Sequence, residues 1–189
     1  MMKFVSTLAA AAALCVSFNA SAQEPVVTGG EVRAPSPRIM DPDRPGYFQV
    51  GVGPSFALGL DSDAVMYNVV GAYNRNISDR LTGKVFGDFN LGTGADAAQF
   101  INVGLGTDIY LQEVRMDYGV PYLMADVGYG FVRDEDTQTQ DAAVIGAGAG
   151  FKMAAEALNF DLNVHYSLLT AQLDGKTPSV FGLRAAVNF

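Results

Sequence analysis

The residues best equipped for chemistry in this 189-residue chain are His165 and Ser167, in the triplet His165-Tyr166-Ser167. Positions i and i+2 of an extended strand point the same way. An imidazole beside a hydroxyl can activate it as a nucleophile when a carboxylate orients the ring. No such acid follows on the next strand, because Glu156 is the last glutamate and Asp174 falls in a loop. Asp161 and Asn163 share the parity of His165 and Ser167, so all four are expected to turn the same way. A second group is ionic: Lys84, Asp88, Asp108, Asp126, Lys152, Asp161 and Arg184 lie, with His165, on one parity of alternating segments. In an enclosed space these cations need the carboxylates as partners, which predicts an internal ion-pair network. The alternative is a gated ion path along the same groups. Gly104-Leu105-Gly106 and Gly146-Ala147-Gly148-Ala149-Gly150 do not open a helix, so a phosphate-binding role is not expected of them.

Composition narrows the setting. Twelve Lys+Arg against twenty Asp+Glu give a formal net charge of −8, the wrong sign for gripping nucleic acid. Glycine is abundant, with 21 residues, and charged residues are only 17%, which argues against long helices. The mean hydropathy of +0.17 is mildly apolar, and no apolar run in the body of the chain is long enough for a spanning helix. Residues 1–22 read as an export signal: a positive start at Lys3, an apolar run from Phe4 to Phe18, and Ala20-Ser21-Ala22 before Gln23. Cleavage is expected between Ala22 and Gln23. Leu14 is too large for the position before a lipoprotein cysteine, and the one cysteine, Cys15, leaves with the signal. Disulfides and Cys-ligated metals are therefore excluded from the mature chain, and no cofactor is expected. Residues 23–46 hold Pro25, Pro35, Pro37, Pro42 and Pro45, five of the eight prolines, without any apolar period. They read as a disordered Pro-rich leader that could tether a periplasmic protein partner.

From Tyr47 to Phe189 the pattern changes to strict alternation. In the first strand Phe48, Val50, Val52, Pro54, Phe56 and Leu58 oppose Gln49, Gly51, Gly53, Ser55 and Ala57. Comparable segments begin at Leu81, Ile101, Tyr122, Ala143, Phe160 and Val180, with a weaker one over Val65 to Tyr73. The expectation is an all-β fold, an eight-stranded antiparallel up-and-down transmembrane β-barrel, with strands long enough to cross a bilayer when tilted. A soluble lipocalin-like carrier would place the apolar face inward. Three features favour the reverse. The polar face carries too few charges for a solvated exterior. That face also holds most strand glycines, which suit a narrow lumen. Aromatic residues of the apolar face cluster near strand ends, Phe48, Tyr73, Phe151, Phe160 and Phe189 at one end and Phe56, Tyr67, Phe89, Tyr129, Phe131 and Phe181 toward the other, as interfacial girdles do. As drawn, no charge falls on the apolar face.

An even strand number puts both termini on one side, expected to be periplasmic. Turns are then expected at 75–80, 112–119 and 154–158, and outer loops at 59–64, 92–98, 133–141 and 171–178. The outer loops are acidic, through Asp61, Asp63, Asp96, Asp134, Glu135, Asp136, Asp141 and Asp174, but none has calcium-site spacing.

Together the signal, the eight alternating segments and the apolar last strand ending Val187-Asn188-Phe189 resemble small Gram-negative outer-membrane barrels of the OmpA/OmpX-like class. The resemblance covers residues 47–189. It implies residence in the outer membrane amid lipid and lipopolysaccharide, insertion by the barrel-assembly machinery that reads the terminal Phe189, and a lumen charge network in place of an active site. The His-x-Ser triplet is also similar to that of outer-membrane lipid A deacylases, but the inward parity of His165 and Ser167 turns them away from lipid. The expected function is therefore a non-enzymatic barrel, envelope-structural or a membrane-embedded accessory subunit. A narrow channel, a lipid A-modifying enzyme and a periplasmic carrier remain as alternatives.

Overall fold

The computed structural model describes residues 46–59, 65–92, 98–111, 113, 119–133, 139–154, 159–172 and 175–189. Eight strands follow in chain order: β1 (Gly46–Leu58), β2 (Val65–Ser78), β3 (Leu81–Gly92), β4 (Gln99–Tyr110), β5 (Gly119–Arg133), β6 (Thr139–Ala154), β7 (Asn159–Leu169) and β8 (Ser179–Asn188). Each pairs antiparallel with its neighbours in sequence, and β8 returns to β1 to close the barrel. Closure leaves no sheet edge, so every strand finds its hydrogen-bond partners within the wall. The ends of the wall meet near the chain terminus, where Phe189 N–H donates to the Phe48 carbonyl at 2.8 Å. The β1–β8 pairing runs from Gln49↔Asn188 to Leu58↔Ser179 and is interrupted at Gly53 and Pro54, of which Pro54 has no N–H to give.

The alternation predicted from sequence sets the two faces. Large apolar residues of the odd-numbered parity in β2 to β6 point outward, and Leu105 and Val127 remain 61% and 60% exposed. The other parity is buried in the lumen and carries most of the polar side chains. An apolar exterior around a polar interior suits a bilayer, where no water competes for the wall's backbone hydrogen bonds. It is the opposite of what a soluble carrier needs.

Several strands are longer than alternation alone suggested. β1 begins at Gly46 rather than Tyr47, β2 runs on to Ser78, β5 starts at Gly119 before Pro121, and β6 reaches back to Thr139. The expected turn at 75–80 shrinks to Asp79–Arg80, with a register irregularity between Asn76 and Ser78. Polar residues at these strand ends hid the extensions. One consequence corrects the expectation of an uncharged outward face: Arg75, Arg133 and Asp141 fall on it, at the margins of the apolar band, where they can reach water. There Tyr129 donates its hydroxyl to Asp141 on the neighbouring strand. The expected signal segment, cleavage site and leader up to residue 45 lie outside the described residues, as do most of the acidic loop positions.

Inside, one end is apolar. Ala57, Met66, Ala98, Phe100, Val132, Val144, Leu169 and Val180 form a buried cluster, each at most 3% exposed. All of them lie at the strand ends that adjoin loops 60–64, 93–97, 134–138 and 173–174. This plug fills the barrel at the loop end, while the polar groups lie beneath it toward the end that carries the termini.

Candidate functional site

The site is the polar interior below the plug. Every expected charged residue projects into it: Asp88, Asp108, Asp126, Lys152, Asp161, His165 and Arg184 are buried, and the Lys84 side chain is only 10% exposed. They do not form one continuous cluster through direct contacts. Four groups are distinguishable, the first two of which share Tyr122.

The group nearest the termini is built around Lys152. Its Nζ donates to Tyr47 Oη and Tyr110 Oη, each at 2.7 Å, and to Asp108 Oδ2 at 2.9 Å. Lys84 holds the other oxygen of Asp108 at 2.9 Å. The Tyr122 ring lies 4.9 Å from the Lys152 ammonium, within the range of a cation–π contact. Three tyrosines and a carboxylate thus replace the hydration of a fully buried ammonium, without which its burial would be prohibitive. Thr82 adds a hydroxyl donated to Tyr110 at 3.2 Å.

The second group serves Asp161, which accepts from Gln49 at 2.8 Å, Tyr122 at 2.7 Å and Asn163 at 3.2 Å. In the third, Arg184 pairs with Asp88, which also accepts from Asn68 and from Asn90 at 3.1 Å. In both groups protein donors take the place that water would otherwise fill around the carboxylate.

The fourth group has the connectivity of a nucleophilic triad. His165 Nε2 lies 2.7 Å from Asp126 Oδ2, and Ser167 Oγ lies 3.2 Å from His165 Nδ1. A carboxylate only accepts, so Nε2 carries the proton, and the Ser167 hydroxyl is placed to donate to Nδ1. The acid missed in the sequence is Asp126 on β5, two strands away from β7 around the wall. Gly146 makes this meeting possible. It stands on β6 between Asp126 and Ser167, and a Cβ there would lie 2.2 Å from Asp126 Oδ1 and 2.7 Å from His165 Nε2. The same interleaving recurs at Gly150, whose empty position is filled by the Tyr122 ring at 2.5 Å. Glycine on the inward face is therefore space given to a large neighbour.

Connectivity alone does not make a catalyst, because a substrate must reach the hydroxyl. Ser167 is 1% exposed and stands directly opposite Val180, a member of the apolar plug. Both His165 and Ser167 face the lumen, as parity predicted, with the wall between them and any lipid. Among the described residues no group of three or more His, Cys, Asp or Glu could hold a metal ion. Phe189 is placed by backbone bonds to Phe48 at the terminal end of the barrel.

No family model matches the sequence, and no curated protein matches it either. Solved structures do. Neisserial surface protein A, NspA, superposes with a TM-score of 0.65 at 16% identity, covering 76% of this chain and 95% of that one. Ail of Yersinia pestis follows with a TM-score of 0.44 at 13% identity, over 76% and 97% of the two chains. The N-terminal barrel domain of Pseudomonas aeruginosa OprF gives 0.46 at 15% identity, over 76% and 99%. At 16% identity the likeness to NspA concerns the fold alone, and it agrees with the polarity of the two faces. In fold, this chain is a closed, eight-stranded, antiparallel transmembrane β-barrel.

Proposed function

We propose that the chain is an integral outer-membrane protein of a Gram-negative envelope that acts without enzymatic chemistry, as a structural element or a membrane-embedded accessory subunit. The observation that carries this reading is the filled lumen. An apolar plug closes the loop end, and below it the charged groups are consumed by one another. An eight-stranded barrel is just wide enough to be filled in this way. Among the described residues the interior is filled by these side chains, and in this reading function falls to the loops, the lipid-facing band and the Pro-rich leader at 23–46. In this reading both termini face the periplasm, the leader meets a periplasmic protein, and lipid with lipopolysaccharide surrounds the band. The barrel-assembly machinery takes the chain in through its Phe189 end.

Two measurements test the reading together. The protein should fractionate with the outer membrane and shift on a detergent gel when boiled, because a closed barrel survives cold detergent. The refolded barrel should give no steady single-channel steps in a planar bilayer. Stable steps would favour a narrow channel along Lys84, Asp108 and Lys152, and recovery from the soluble periplasm would overturn the membrane assignment. For the tether, removing residues 23–46 should change the set of cross-linked periplasmic partners; an unchanged set would leave the leader without that role.

A further inference from the structure

We infer that the lumen binds one structural water molecule between Asp126, Asn163 and Arg184, and that this water joins three of the four polar groups into a single network. Three buried atoms carry the inference. Asp126 Oδ1, Asn163 Oδ1 and Arg184 Nε have no protein partner among the described residues. All three residues line one cavity of about 20 Å³ in the interior, together with Lys84 and the apolar Ala72 and Phe86. A cavity of roughly 10–15 Å³ suffices for one water, and a buried water makes about three hydrogen bonds.

The donors and acceptors choose the occupant. A cation would face the Arg184 guanidinium and the Lys84 ammonium, and an anion would face the Asp126 carboxylate. Water alone accepts from Arg184 Nε–H while donating to Asp126 Oδ1 and Asn163 Oδ1. Each contact then satisfies an atom that would otherwise be buried at a cost. The consequence is connectivity. Arg184 brings its pairing with Asp88, Asn163 brings its 3.2 Å bond to Asp161, and Asp126 brings His165 and Ser167. Groups that do not touch directly become one hydrogen-bonded body through a single bridge, and the triad-like string of Ser167, His165 and Asp126 ends on water instead of on a substrate.

The test is water–protein nuclear Overhauser spectroscopy on the full barrel refolded in lipid nanodiscs. A cross-peak between water and the Arg184 Nε proton, with the sign of a long-lived water, is expected. Ala72→Leu, which fills the cavity, should abolish it, whereas the outward-facing Ala125→Leu should leave it intact. If Ala72→Leu does not fold, Asn163→Leu removes one of the two acceptors and should weaken the cross-peak severalfold. Absence of the cross-peak from the unaltered protein, or its persistence at full strength in the folded cavity-filling or acceptor-lacking variant, overturns the inference.

Discussion

Replacing Lys152 with methionine tests how far the interior charges hold the barrel together. The substitution keeps the length of the side chain and removes the ammonium. It takes one cation from Asp108, leaves Tyr47 without its ammonium donor and leaves Tyr110 with Thr82 alone. Removing one partner of a buried ion pair costs about 3–5 kcal/mol. Asp108 keeps Lys84 on its other oxygen, so the lower end of that range, about 3 kcal/mol, is the fair figure. The two tyrosine hydroxyls lie 3.4 Å apart and can turn to each other, which limits their loss to about 1 kcal/mol. Lys152→Met should therefore lose about 4 kcal/mol, close to three orders of magnitude in the unfolding equilibrium. Lys84→Met removes one ion pair from a less enclosed side chain and should cost about half as much. The chain has no Trp, so the folded fraction is best followed by gel mobility across a urea series, in vesicles where folding and unfolding curves coincide. A loss below about 1 kcal/mol for Lys152→Met, or a larger loss for Lys84→Met, would refute the view that the tyrosine-caged ammonium is the stronger anchor.

Other outcomes follow from the two faces and from the triad-like group. Leu105→Arg places a charge in the outward apolar band and should destabilise the barrel by about 2–4 kcal/mol in lipid; a neutral result would mean that this face does not meet the bilayer core. Gly146→Ala puts a methyl where Asp126 and His165 meet, so it should part them, shift the His165 ring resonances and cost about 1.5–3 kcal/mol by the same urea assay. Ser167→Ala should leave the lipid A mass spectrum of overexpressing cells identical to that seen with the unaltered protein, while costing about 1 kcal/mol for one lost hydrogen bond. A change in lipid A that depends on Ser167 would restore the deacylase reading.

Much of the wall was legible because a period of two is a local property of the chain. Phe48 to Leu58 and Phe160 to Leu168 announce both the strand and its faces within a few residues. Strand ends were less visible, since Arg75, Asn76, Arg133 and Asp141 read as loop and yet pair in the ladder. The interior was legible as an inventory but not as an arrangement. Which charges meet depends on stagger and tilt, and the contacts join residues far apart in sequence. Gln49 reaches Asp161 across 112 positions, and Asp126 reaches His165 across 39. Nothing in the neighbourhood of His165-Tyr166-Ser167 points to Asp126; the one usable sign was Gly146, a vacancy on the intervening strand. The apolar plug escaped notice because no strand contributes more than one member, and only closure brings Met66, Phe100 and Leu169 together.

The division of the interior into plug and network implies that tolerance to substitution is graded along the barrel axis. Residues of the plug ask only for apolar volume, so volume-conserving exchanges such as Leu169→Met should be absorbed by small movements of their neighbours. Residues around Lys152 and Asp161 ask for particular atoms at particular places, and a half-satisfied polar cluster is worse than none. Substitution is then freer beneath the loops, while the half nearest the termini is bound to its complement of donors and acceptors.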